Sequence, residues 1–359
     1  MSSSPLKLVF FSSSYFVLPI LKSIISSQDR TLDQAVLNHY EQLSPDEQQI
    51  SGLTKKYLED SLLKRKIELK LVVSQPDREL RQKKISNPVS EFARKNKIPL
   101  FLPEKINREF QKSSELMQGF DFGIVASFGQ IISQSVLDLA EYKFINWHPS
   151  DLPKYRGASP MSSLLYNGEN QTALSWIEMT KEMDAGDIWL KIDREVDNQT
   201  TFTQIAQKMG NLGAKTWSIV IAKIILAEKY NLKPIPQNHS MATFCSKQTK
   251  EDAIIKPSEM SSTQVFNHWR AFVEFPKTKF YSKYFRQLIC LNVAVNTWST
   301  LQPLKEANWK IVNENEEWLQ LKGQKEVKTL LKCKVGFVEV KKVTLSNGKS
   351  IDFRGFCFP

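Results

Sequence analysis

The sequence predicts an α/β protein built on a doubly wound, Rossmann-like parallel sheet and followed by a C-terminal β-barrel. Three observations carry this. Apolar runs of strand length alternate with helical patterns through residues 6–230, as in parallel strands joined by crossover helices. After "NLKPIPQNHS" (231–240) the texture changes to short β-rich segments between polar turns, the pattern of a small barrel or sandwich. The charge changes there too. Residues 1–200 carry 25 Lys+Arg against 26 Asp+Glu, and residues 201–359 carry 24 against 12, so the excess in the net +11 lies in the second part. Such asymmetry suggests a polyanionic partner for that part, although a basic surface also serves solubility.

The elements follow in order. "LKLVFF" (6–11) is a buried strand, and "YFVLPILKSIISS" (15–27) a helix with its apolar face at Phe16, Ile20 and Ile24. Residues 28–66 interrupt the alternation as a charged, mostly helical insertion. Within it "SPDE" starts a helix, with Ser44 as N-cap, Pro45 in the first turn and Glu47 reaching back. That helix is predicted to continue through residues 48–66, giving a solvated hairpin without chemistry of its own. Strands follow at "IELKLVV" (67–73), "IPLFLP" (98–103), "DFGIVASFGQII" (121–132) and "KFINWH" (143–148), with helices at 87–97 and 133–140. In such sheets ligands bind beyond the carboxyl ends of the strands. Gln75–Arg78, Phe128–Ile132 and Asn146–Pro153 fall there. The long apolar pattern at 202–230 reads as one or two helices. The expected domains are 1–228, with a linker at 229–244, and 245–359.

Several classes are excluded. No apolar run approaches the ~20 residues of a membrane span, and the first residues lack the charged n-region and cleavage site of a secretory signal. The four cysteines are widely spaced with no C-x-x-C. They are expected to be free thiols in a cytoplasmic protein rather than a zinc site or disulfide framework.

Two clusters could carry chemistry. Asn146 and His148 are two apart on a strand, so their side chains share one face, and Pro149 stops the ladder beside them. An amide donor next to an imidazole suits a transition state that carries an oxyanion. An imidazole there could equally cap a turn. "TKEMDAG" (180–186) joins two strand-like segments and presents Asp184, with Asp187 just beyond. A carboxylate facing His148 would orient its ring; an ordinary acidic hairpin would look the same. A third stretch, "SQPDRELRQKK" (74–84), packs four Arg/Lys into seven residues. It reads as a mobile basic loop, suited to phosphate or carboxylate.

These stretches together resemble the methionyl-tRNA formyltransferase family, within the wider group that takes formyl from 10-formyltetrahydrofolate. "INWHPSDLPKYRGASP" is similar to the family's "INxHxSLLPxxRGAAP". "SQPDRELRQKK" is similar to "TQPDRxxGRGKK", and "MDAGDIWLK" to "LDTGDMLYK". "CSKQTKEDAIIKP" and "RAFVEFPKTKFY" resemble the opening of the family's C-terminal domain. The resemblance implies a catalytic trio of Asn146, His148 and Asp184, with Asp184 taking the first Asp of the motif rather than Asp187. It implies a folate-contacting loop at Ser150, Asp151, Leu152 and Pro153. It places Gln130, Ile131 and Ile132 at the wall of the pterin pocket. Arg81, with Lys83 and Lys84, would meet the acceptor end of the tRNA, and the C-terminal barrel would resemble an OB-fold. The chain departs from the pattern at "SSSYF" (12–16), where the family has "GTPxF", at Asp151 where Leu is usual, in a basic loop one residue short, and in residues 28–66.

The expected reaction is direct attack of the α-amine of initiator methionyl-tRNA on the formyl carbon. Asn146 and His148 would stabilise the oxyanion, and Asp184 would orient His148 or relay a proton. The expected protein is a monomeric enzyme with 10-formyltetrahydrofolate as donor, no metal and no membrane association. Two alternatives use the same residues: a formyltransferase acting on an amino sugar nucleotide, and a non-catalytic RNA-binding relative.

Overall fold

The apolar runs pair as parallel strands because both faces of each are covered, which favours continuous Val, Ile, Leu and Phe. The computed structural model describes residues 4–80, 83–110, 114–324 and 326–353. Strands β1 (Leu6–Phe11), β2 (Ile67–Val73), β3 (Leu100–Phe101), β4 (Phe120–Val125) and β5 (Ala140–His148) are mutually parallel. β6 (Gln171–Glu178) runs against them, and β7 (Ile188–Glu195) pairs antiparallel with β6. The order is β7-β6-β5-β4-β1-β2-β3. The chain therefore reverses its direction of travel between β1 and β4. In sheets of this kind ligands bind beyond the carboxyl ends of the strands at such a switch point. Below it Phe11 packs at 5.2 Å from Phe144 and 5.6 Å from Phe128, ring centre to ring centre. A buried charge on β4 is fully engaged: Asp121 accepts both Arg65 Nη1 and Nη2, at 2.7 and 2.8 Å, and the Lys7 amide at 2.7 Å, as a buried carboxylate requires.

Residues 28–66 depart from expectation. Helices α1 (Leu18–Ser26), α2 (Leu32–Tyr40) and α3 (Pro45–Ser51) form, and Ser44 caps α3 as predicted. However, α3 stops at Gly52, at φ +66°. Only single turns, Lys55–Leu58 and Ser61–Leu63, follow. Nor is the segment a solvated hairpin. Leu32, Val36, Leu43, Leu53 and Leu63 are buried, and α2 packs on the helix Trp217–Tyr230. Asp60, its side chain fully buried, pairs with Lys229 and accepts the Tyr230 hydroxyl at 2.6 Å. The Lys229 and Tyr230 hydrogen bonds hold its pKa down at about 2. Glu47 pairs with Arg194 on β7.

His39 of α2 is buried. Its Nε2 lies 2.9 Å from Ser23 Oγ, and its Nδ1 lies 2.6 Å from Ser218 Oγ. Ser23 Oγ gives its proton to the Ala214 carbonyl at 2.8 Å, so it accepts from Nε2, and Ser218 donates to Nδ1. The network suits the neutral ring. Burial, aided by the charge of Arg30, drops the pKa to about 4.

The chain divides into two compact units. One comprises Met1–Pro160, Gln171–Glu195 and Ala206–Cys245; the other comprises Met161–Asn170, Val196–Ile205 and Ser246–Pro359. The linker-like stretch 231–245 lies along the first unit: Ile235 bridges Ile188, and Phe244–Cys245 pair with Arg156–Gly157. In the second unit, strands β8 (Lys279–Ser282), β9 (Gln287–Trp298), β10 (Lys310–Glu314), β11 (Trp318–Lys322), β12 (Val327–Lys332), β13 (Phe337–Thr344) and β14 (Ser350–Asp352) form one antiparallel sheet. Their order is β8-β9-β13-β12-β11-β10, with β14 on β13. Val265, Phe266 and Trp269 of the helix Ser262–Ala271 share its core with Phe280, Trp318 and Val338. A closed barrel, the expected form, is not found: among the described residues the edge strands β8 and β10 do not pair. Alternating hydropathy marks strands, but closure depends on pairing between distant edges, which hydropathy does not encode.

Candidate active site

Strand β5 delivers two of the three predicted groups. Trp147 is buried against the other face, its indole Nε1 donating to the Met209 carbonyl at 3.3 Å. Alternation therefore places Asn146 and His148 together on the opposite side. Pro149 ends the ladder, and the chain turns at once: the Ser150 amide donates to the His148 carbonyl at 3.0 Å, and the Leu152 amide to the Ser150 carbonyl at 3.0 Å. Ser150 Oγ donates to the Lys154 carbonyl at 2.7 Å, and Ser175 Oγ donates to the Ser150 carbonyl at 2.8 Å. The loop is thus fixed by its own backbone, by the Ser150 hydroxyl and by Ser175 of β6.

Asp184 joins them from the β6–β7 connection. Its carboxylate accepts Asn146 Nδ2 at 3.0 Å and the Gly157 amide at 2.8 Å. Its Oδ2 lies 3.6 Å from His148 Nδ1, within ion-pair range but long for a direct hydrogen bond. His148 is only 4 % exposed. Its Nε2 lies 2.9 Å from the Tyr155 carbonyl. A carbonyl only accepts, so Nε2 carries a ring proton, and Nδ1 is the nitrogen that faces the Asp184 carboxylate. Asp187 does not share this place in the network; its carbonyl accepts the Glu178 amide at 3.0 Å.

Gly157 is required where it stands. At φ +119° a Cβ would lie 2.2 Å from the Cys245 carbonyl, so only glycine lets Phe244–Cys245 pair there while its amide reaches Asp184. Sequence reasoning missed the Tyr155 carbonyl and the Gly157 amide, although both lie inside the quoted motif, because backbone groups carry no residue signature. It also missed Gln237, in a stretch that reads as linker, whose Nε2 donates to the Asp184 carbonyl at 2.9 Å.

The remaining predicted residues fall around the same carboxyl edge. Asp151 pairs with Lys191 and lies 3.8 Å from Lys154 Nζ. Leu152 is buried with Ile177 and Ile188, and Pro153 follows it across a cis peptide. Gln130 spends its amide in both directions: Oε1 accepts the Ile106 amide at 2.8 Å, and Nε2 donates to the Pro103 carbonyl at 2.9 Å. Ile132 is buried, whereas Ile131 is 73 % exposed. Arg81 lies outside the described residues. Lys83 and Lys84 belong to the short strand Lys83–Ile85, which pairs antiparallel with Arg78–Leu80. Beneath that hairpin Asp77 pairs with Arg94 at 2.9 Å, and Asn87 Nδ2 donates to the Gln75 carbonyl at 2.6 Å.

The serine turn after β1 replaces glycine without strain, since none of Ser12, Ser13 and Ser14 has positive φ. Its hydroxyls tie strand ends together at the switch point. Ser13 Oγ accepts the Gln75 amide at 3.0 Å, Ser14 Oγ meets Ser127 Oγ at 2.7 Å, and Ser74 Oγ donates to the Ser12 carbonyl.

The chain matches the formyl transferase family over residues 49–221. It is 33% identical over 212 residues to a methionyl-tRNA formyltransferase of Mesoplasma florum, covering 58% of this chain and 66% of that protein. A methionyl-tRNA formyltransferase of Kosmotoga olearia is 36% identical, with 59% and 67% covered. One of Thermosipho melanesiensis is 32% identical over 294 residues, with 81% and 88% covered. The first of these matches spans just under two thirds of its relative's length, the last nearly nine tenths. Among solved structures, an N-formyltransferase from Helicobacter canadensis in complex with folinic acid and dTDP-3-aminofucose superposes with a TM-score of 0.56 at 12% identity, covering 93% of this chain and 98% of that one. A 4-N formyltransferase from Francisella tularensis gives 0.55 at 14%, with 81% and 98% covered. At such identity the structures speak for the fold alone. The sequence relatives settle the rest: the chain belongs to the methionyl-tRNA formyltransferase family.

Proposed function

We propose that the protein transfers the formyl group of 10-formyltetrahydrofolate to the α-amine of initiator methionyl-tRNA. The observation that carries this reading is the meeting of Asn146, His148 and Asp184 at the carboxyl end of β5. The amine nitrogen attacks the formyl carbon, and the carbonyl oxygen becomes an oxyanion. Asn146 gives one Nδ2 hydrogen to Asp184 and turns the other to the oxyanion. The proton lost by the amine passes to Nδ1 of the neutral His148 ring, beside Asp184, and then to N10 of the folate as the carbon–N10 bond breaks. Asp184 stabilises the transient imidazolium across 3.6 Å.

The residues fit a folate donor. The exposed Ile131 offers an apolar surface at the strand ends, and the loop Ser150–Pro153 keeps its shape through its own hydrogen bonds. Gln130 serves as wall, its amide being engaged on the protein side. Residues 245–359 supply the basic surface that holds the tRNA phosphates, with Arg81, Lys83 and Lys84 near the acceptor end. Salt should weaken that grip steeply. We read the protein as a cytoplasmic monomer with 1–228 as the catalytic domain and 229–244 as the connection.

The test is formyl transfer to charged initiator tRNA, with elongator methionyl-tRNA and a dTDP-amino sugar as controls. Transfer selective for the initiator supports the reading. Transfer to the sugar alone would replace it with the sugar reaction.

A further inference from the structure

We propose that Gln237 and Arg156 are positioning residues for the Asp184 carboxylate. The inference rests on the transfer reaction proposed above. Asp184 sits at φ +51°, a left-handed conformation uncommon for a non-glycine residue and held only where the surroundings enforce it. Gln237 supplies the enforcement. Its Nε2 donates to the Asp184 carbonyl at 2.9 Å and to the Gly186 carbonyl at 2.6 Å, bracketing the turn. Its Oε1 accepts Arg156 Nε at 3.1 Å and Nη2 at 2.7 Å.

The amide is saturated, and its orientation is unambiguous: flipping it would set an oxygen against two carbonyls and an NH2 against a guanidinium. Both side chains are buried, Gln237 at 5 % and Arg156 at 4 % exposure. The guanidinium polarises the amide and strengthens its two donors.

The same segment reaches the rest of the trio. The Arg156 amide donates to the Thr243 carbonyl at 2.9 Å, and the Ala158 amide to the Cys245 carbonyl at 3.1 Å. Residues 155–158 are thereby stitched to 243–245. Within them the Tyr155 carbonyl holds His148 Nε2 and the Gly157 amide holds Asp184 Oδ2. Gln237 and Arg156 thus fix both ends of the Asp184 contact: the loop that carries it and the strand that receives it.

The test uses the full chain with Gln237→Met, which removes the donors, and Gln237→Glu, which keeps the acceptor for Arg156 but faces the two carbonyls with an oxygen. Both should lower kcat for methionyl-tRNA about 100-fold, the cost of an ångström of misplacement, with KM for both substrates unchanged. In an Asp184→Ala background, Gln237→Met should cost no further activity, because the two act as a unit. The Gly157 amide should exchange with deuterium faster in Gln237→Met than in the wild type. A rise in KM with kcat held, an undiminished loss in the Asp184→Ala background, or an unchanged Gly157 exchange rate would each overturn the proposal. The exchange measurement needs no turnover. If the wild type formed no formyl-methionyl-tRNA, the functional reading would fall while exchange still decided the positioning role.

Discussion

His39 makes the first unit sensitive to mild acid, and the size of the effect follows from its surroundings. The perturbation is a drop from pH 7 to pH 5. In the folded chain the ring titrates near 4 against 6.5 for the free side chain. The unfolded chain therefore binds a proton between these values that the folded chain refuses. Stability is full above pH 6.5, falls with pH through that window, and levels off below about pH 4. Integrating the two titrations gives a loss of about 2 kcal/mol between pH 7 and pH 5, a sizeable share of a ~5–15 kcal/mol fold. The structural reason is that Ser218 already donates to Nδ1 and Ser23 already accepts from Nε2, so a second ring proton meets a hydroxyl pointing the wrong way in a buried site. The assay is urea unfolding of wild type and His39→Gln at both values. Other groups titrate alike in the two proteins, so the difference between their pH responses isolates this ring. His39→Gln should be less stable at pH 7 yet lose about 2 kcal/mol less on acidification. Equal losses in the two proteins would refute the argument.

Other outcomes follow from the same geometry. His148→Ala should lower kcat by about 10²–10⁴, the usual span for a proton-transfer group, while equilibrium dialysis finds folate binding retained. Asp184→Asn should be nearly as damaging, because a correctly oriented amide cannot accept both Asn146 and Gly157 and hold an imidazolium; a mild effect in a transfer assay would remove Asp184 from the mechanism. Tyr230→Phe should cost about 1 kcal/mol in thermal melts by taking a hydroxyl from the buried Asp60. Raising salt from 50 to 200 mM should raise KM for tRNA by orders of magnitude and leave KM for the folate unchanged.

The strands of the first sheet are legible because both faces are buried, so apolar runs such as "LKLVFF" announce themselves. Asn146 and His148 are legible as a pair because strand periodicity is strict. That Asp184 would reach them is legible only through the family resemblance: a contact spanning 38 positions depends on the antiparallel pairing of β6 with β5. The insertion misleads because its many charges mask a narrow stripe of Leu32, Ala35, Val36 and His39 that a helix periodicity of 3.6 gathers on one side of α2. Gly52 is visible in the sequence, and its left-handed φ marks the helix end that the charge pattern obscures. Gln237 has no visible signal, since a single polar residue near prolines has no period to betray its burial.

The serine turn gives a final test of how far family pattern and local physics agree. Ser12 stands where the family has glycine, and its φ is one any residue can adopt. Its amide donates to the Val73 carbonyl at 3.0 Å, and its carbonyl accepts Ser74 Oγ. Its own Oγ is buried and has no partner among the described residues. A hydroxyl so placed keeps its desolvation cost with no hydrogen bond in return. Ser12→Ala should therefore stabilise the chain by about 1 kcal/mol. Ser12→Gly, which restores the family residue, should come out near neutral, because the gain is offset by about 0.5–1 kcal/mol of added backbone freedom in the unfolded chain. Melting curves of the two variants decide it. If Ser12→Ala destabilised instead, the hydroxyl would be bonding, and the departure from glycine would be a functional substitution rather than a tolerated one.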